Sequence, residues 1–155
     1  MRKDFRPLFF TGVVTSPNYP GYYPYNLDKT YMIQVEQGEI LLLQFNAFDV
    51  AFKRTENGQC NYDFLTIKDG DGTSLLDKAC SVTTLAGEDL PGLPGDILSN
   101  TNVVKLIFHT TGMDVSSGWS LNWTALPQVI RLFLEQNDNI FFPQLPDARN
   151  PFSKK

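Results

Sequence analysis

From Thr30 onward, short apolar stretches recur about every ten residues, each broken by turn-forming residues, and no helical period is sustained beyond two turns. That spacing restricts the chain to an all-β fold. Tyr31, Ile33 and Val35 alternate with polar neighbours, as do Val104, Leu106 and Phe108, and again Trp119, Leu121, Trp123 and Ala125. Alternation means one buried face per strand, which is what two antiparallel sheets packed over a shared core require. Ile40–Phe45 is instead nearly continuous in apolar side chains. Phe64–Ile67 runs into Asp69-Gly70-Asp71-Gly72, whose Asp-Gly pairs suit a tight turn with positive φ. The expected architecture is an antiparallel β-sandwich.

A chain of 155 residues holds one ordinary domain and some tail, not two large domains. Residues 1–11 read as an N-terminal arm, 12–126 as the domain, and 127–155 as a C-terminal extension or linker. The net charge of −4 gives no basic footprint for a phosphate backbone, so nucleic acid is not an expected partner. Between Gly12 and Ala125 there are 13 carboxylates against 6 cations, net −7, and a partner's basic residues would be drawn there. The longest apolar run, Ile40–Leu43, is far short of the roughly 20 residues that span a bilayer. Met1–Phe10 is basic, but its apolar run, Leu8–Phe10, is too short for a signal-peptide core, so either the chain is not secreted or a leader has already been removed.

Carriers of catalysis are lacking. His109 is the only histidine, and Gly-x-Ser-x-Gly, His-Glu-x-x-His and a glycine-rich phosphate loop do not occur, so no enzyme is expected. Asp63 with Asp49 or Glu56 would supply a glycosidase-like carboxylate pair only if a cleft held them, and nothing in the sequence signals one. Cys60 and Cys80, 20 positions apart, cannot build a four-ligand zinc site without nearby histidines. A disulfide and two buried thiols both remain open. The Asn122-Trp123-Thr124 sequon favours an oxidising compartment and makes Asn122 a glycosylation acceptor. Asn122 is expected to face solvent, because it alternates with inward Leu121 and Trp123.

These residues together resemble the CUB domain family of extracellular proteins. Gly12–Asn26 (GVVTSPNYPGYYPYN) is similar to the family's opening glycine and its Ser-Pro-Asn-Tyr-Pro and Tyr-Pro turns. Tyr31-Met32-Ile33 resembles the strand that follows. Cys60-Asn61-Tyr62-Asp63 with Leu65, Ile67 and Asp69-Gly70 resembles the Cys-x-Tyr-Asp strand. Ile97, Ser99, Asn102, Val104–Phe108 and Gly118-Trp119 with Leu121 and Trp123 resemble the closing strands. The resemblance implies a Cys60–Cys80 disulfide, worth about 3 kcal/mol by loop entropy. It also exposes departures. The family's first disulfide is missing, with Lys29 at the position of its second cysteine. Of the three carboxylate positions that many CUB domains use for calcium, only Asp63 is kept; Ala51 and Thr111 occupy the others. One carboxylate is a poor cage for an ion that wants six to eight oxygens, so no metal is expected, with Glu56 and Asp114 as weak substitutes beside Asp63. The stretch Leu85–Gly95 is also longer than its counterpart usually is.

What the resemblance implies is a non-enzymatic extracellular or secreted module that binds or assembles proteins. The alternatives are a glycan-binding secreted protein resembling spermadhesins, with tyrosines stacking on sugar, or the CUB part of a larger extracellular protease. Candidate contact residues are Tyr22, Tyr23 and Tyr25 in the turn region, and Ile140, Phe141 and Phe142 in the extension. The ends are too apolar to stay in water: Phe5, Leu8, Phe9 and Phe10 on one side, Ile130, Leu132, Phe133 and Leu134 on the other. Val129–Leu134 is expected to lie extended or strand-like on its own sandwich or a neighbouring subunit, and Ile140–Leu145 to make the intermolecular contact.

Overall fold

The computed structural model of the protein describes residues 10–52, 59–81 and 93–136. Along these residues run β1 (Thr11–Thr15), β2 (Asp28–Gln34), β3 (Glu39–Asp49), β4 (Phe64–Asp69), β5 (Ser74–Ala79), β6 (Ile97–Leu98), β7 (Val103–His109), β8 (Gly118–Pro127) and α1 (Val129–Gln136). Two antiparallel sheets form, in the orders β1-β8-β3-β6 and β2-β7-β4-β5. The β-sandwich expected from the alternation is the fold observed. Leu41, Leu43 and Phe45 of β3, Leu65 and Ile67 of β4, Val104, Leu106 and Phe108 of β7, and Trp119 and Leu121 of β8 fill the space between the sheets. Rings meet edge to face there: Tyr23 with Phe108 at 5.0 Å, Tyr31 with Trp119 at 5.4 Å, and Phe108 with Trp119 at 5.8 Å. That geometry brings the positive edge of one ring to the negative face of the next.

The continuous run in β3 has a separate cause. While Leu41 and Leu43 face the core, Ile40 and Leu42 point to the other side and form a second buried cluster with Leu98 and Leu126. Ile130 of α1 packs against that cluster, and Arg131 donates from Nη2 to the carbonyls of Leu98 at 2.9 Å and Ser99 at 3.2 Å. A strand covered on both faces reads as an unbroken apolar run. The expectation of an extended segment over Val129–Leu134 is corrected here, since Val129–Gln136 is helical. Pro127 has no N–H with which to carry the ladder further, and a helix satisfies its backbone internally while turning Ile130 inward. Phe5, Leu8, Phe9, Ile140, Phe141 and Phe142 lie outside the described residues.

Two glycines are demanded by close approach. A Cβ on Gly12 would stand 2.6 Å from the Trp123 indole. Gly118, at φ +91°, would drive a side chain into Ser16 Oγ, which accepts the Trp119 N–H at 3.0 Å.

Candidate functional site

Strand β4 begins and ends beside a buried aspartate, Asp63 before it and Asp69 as its last residue. The loops β1–β2, β3–β4 and β7–β8 all emerge at the Asp63 end. Tyr23, 2% exposed, donates its hydroxyl to Asp63 Oδ2 at 2.8 Å and accepts the Ala51 N–H at 2.9 Å. Asp63 Oδ1 accepts from Thr111 N at 2.8 Å and Thr111 Oγ1 at 3.2 Å. One carboxylate thus joins three loops. Burial pushes the Tyr23 phenol well above its ordinary range, with the neighbouring charges of Asp63 and Asp49 adding to the shift against the Ala51 hydrogen bond. Backbone bonds fasten the same loops: Tyr23 N to Ser116 O at 3.1 Å and Asn26 N to Thr111 O at 3.0 Å. Thr110 Oγ1 donates to Pro24 O at 2.8 Å, and Ser117 Oγ to Asp49 Oδ2 at 2.9 Å. The Tyr19–Pro20 peptide is cis.

Cys60 and Cys80 are joined as a disulfide with their Cα atoms 5.8 Å apart, settling the choice that the cysteine spacing left open. Beside the bridge, Val50 N donates to Ser81 Oγ at 3.0 Å and Ser81 N to Val50 O at 2.9 Å.

Tyr23 is corrected as a contact residue. Its ring fills the end of the core against Phe108, and its hydroxyl is the partner of a buried carboxylate, so it presents no surface. Tyr22 at 70% and Tyr25 at 55% are exposed on the same loop. The positions that the resemblance assigns to calcium, Ala51, Asp63 and Thr111, do converge, but both Asp63 oxygens already accept hydrogen bonds and neither neighbour brings a carboxylate. The narrow crevice lined by Ala51, Tyr62, Asp63, Met113 and Asp114 has no room for a water-sized sphere. Among the described residues, no three of His, Cys, Asp and Glu cluster as metal ligands. The described residues at these positions do not fit the ion. Asp114 is exposed, and Glu56 lies outside the described residues.

Asn122 is half-buried on the face of β8 opposite the core, and its Oδ1 accepts from Asn46 Nδ2 at 2.8 Å. His109 is paired elsewhere, its Nδ1 2.6 Å from Asp28 Oδ1 and its ring 5.0 Å from Phe64. Neither the Asp28–His109 pair nor the loop-joining role of Tyr23 was foreseen from sequence.

Two four-stranded antiparallel sheets whose loops are gathered at one end by a buried Tyr–Asp pair define an antiparallel β-sandwich module. The chain belongs to the CUB domain family, whose pattern matches residues 9–123. It is 26% identical over 142 residues to cubilin of Rattus norvegicus, covering 92% of this chain and 4% of cubilin. Neuropilin-2 of Homo sapiens is 31% identical over 121 residues, 76% of this chain and 12% of that protein. The chain therefore spans a small fraction of these curated relatives' length. Among solved structures, the MASP-1 CUB2 domain bound to Ca2+ superposes with a TM-score of 0.61 at 27% identity, covering 73% of this chain and 90% of that one. CUB domains are typically non-enzymatic binding modules and occur in extracellular proteins. Among the described residues, no helix is long and apolar enough to cross a membrane.

Proposed function

We propose that this chain is an extracellular protein-binding module that works without calcium and meets its partner at the Asp63 end. The observation that carries the reading is the Tyr23–Asp63–Thr111 network, which fixes three loops through hydrogen bonds alone. Around it Tyr22, Tyr25, Met113 and Asp114 are exposed, a mixture of aromatic, apolar and acidic groups suited to a protein surface bearing a lysine or arginine. A sugar stacking on the loop would have two tyrosines to use rather than three, since Tyr23 is inside. In this reading the domain proper is 12–126, and a glycan on Asn122 would sit on the sheet face, clear of the loop end.

The test uses the full chain, immobilised in native extracellular fluid and read by quantitative mass spectrometry. A protein retained by the wild type, roughly tenfold less by Tyr22→Ser/Tyr25→Ser/Asp114→Asn, and equally with and without a calcium chelator supports the proposal. Undiminished retention by the triple variant, or loss with chelator, overturns it.

A further inference from the structure

The outer face of the β2-β7-β4-β5 sheet carries an arrangement of charge that the loop end does not use. Lys68 of β4 and Lys105 of β7 are register partners, standing directly opposite each other, and both are exposed. Their strands are the two central ones of the sheet, so the pair sits in the middle of the face, not at an edge where a lysine would discourage strand addition. Like charges directly opposite across an antiparallel pair are destabilising. The same rung is completed by Met32, 58% exposed on β2, and Ser74 on β5, so no carboxylate stands on it.

Four rungs along the same two strands, Phe64 lies opposite His109. There Lys78 of β5, whose N–H is bonded to Thr66 Oγ1, holds its Nζ 5.2 Å from the centre of the Phe64 ring. Asp28, the carboxylate at that corner, is taken by His109; Asp77 and Asp71 are exposed on β5 and in the turn before it. Among the described residues Lys68, Lys78 and Lys105 make no ion pair. Half of the six cations between Gly12 and Ala125 therefore share one face of a domain that is otherwise acidic. From Phe64 to Lys68 the strand advances roughly 13 Å, so the cations line a short linear track.

We propose that this face binds a linear sulfated polysaccharide, with one sulfate seated between Lys68 and Lys105 and another at Lys78. An anion there removes the repulsion that the protein leaves uncompensated, and the exposed thioether of Met32 offers apolar contact to a sugar ring. A nucleic acid fits less well: a continuous phosphate chain would run beyond three cations onto the acidic remainder of the domain.

The experiment is binding of the full chain to immobilised heparin across a salt series. Wild type is expected to bind at low salt, with log affinity falling against log salt at a slope of roughly −2 to −3, the value for about three ionic contacts. Lys68→Gln/Lys78→Gln/Lys105→Gln should bind at least tenfold more weakly while melting no lower than wild type. Lys68→Arg/Lys105→Arg should retain binding, and Lys29→Gln, whose ammonium lies over the Tyr31 ring, should leave it unchanged. The proposal is overturned by no binding of wild type, by equal binding of the triple variant, by undiminished binding to desulfated heparin, or by single-stranded DNA displacing heparin at equal charge.

Discussion

Asp63 and Asp69 bracket the same strand and are both buried, yet they organise the two ends of the sandwich differently. Asp69 Oδ1 accepts from Gly70 N at 2.8 Å and from both Thr101 N and Thr101 Oγ1, while Oδ2 accepts from Asn100 N at 2.6 Å. Three of these four donors are backbone N–H groups in short turns, which are fixed in direction by the chain itself. Of the three donors on Asp63, two are the hydroxyls of Tyr23 and Thr111, carried by longer loops. A hydroxyl re-aims by rotating one bond, whereas a backbone amide moves only with its turn. One end is a clamp and the other a junction. The same chemical group on one strand thus fastens short turns at one end of the module and three longer loops at the other.

The contrast breaks first if the clamp is not the costlier end to lose. Asp69→Ala removes a buried acceptor of four hydrogen bonds, three of them from backbone N–H groups, and should lower stability by about 3–4 kcal/mol, read as a shift in the urea midpoint. Asp63→Ala should cost less, about 2–3 kcal/mol, because three donors lose their acceptor instead of four; equal losses would erase the distinction. Millimolar calcium should leave the wild-type melting temperature unchanged. A rise of several degrees that Asp63→Ala abolishes would mean that the junction is an ion site after all.

Tyr23→Phe should cost about 1–2 kcal/mol by leaving Asp63 and Ala51 each one partner short. It should also change the alkaline limb. The folded phenol holds its proton to higher pH than the unfolded one, so its contribution is complete below the ordinary value of 10.0 and is lost as pH rises beyond it. Stability measured above pH 10 should therefore fall less steeply in Tyr23→Phe than in wild type. At the small end, His109→Gln, at a pair exposed on the sheet face, should stay within about 0.5 kcal/mol.

The alternation in β2, β7 and β8 was enough to read two sheets and a shared core, because period two survives wherever one face is buried. In β3 the signal was present as the unbroken Ile40–Leu43 run, but what covers its second face was not legible. An eight-residue helix has too few turns to show a period, and Val129-Ile130 at its start favours a strand by local preference. Tyr23 was indistinguishable from Tyr22 and Tyr25 for a different reason: its burial is decided by Asp63, 40 residues away. The lysine pair was hidden likewise. Alternation places Lys68 and Lys105 on outer faces, but only the register between β4 and β7 sets them opposite each other.

Because β1 and β8 are antiparallel neighbours, with Thr11 opposite Thr124, the chain enters the sandwich and leaves it at the same end. Tension applied through Thr11 and Pro127 would open the β1–β8 ladder one rung at a time, unzipping it instead of shearing all its bonds together. The sandwich is therefore suited to hang to one side of whatever path the polypeptide takes, away from the line of pull. Strand β8, ten residues long, sets the loops around Tyr22 and Asp114 about 30 Å from that point of attachment. A partner gripping those loops would be held at arm's length from the rest of the chain.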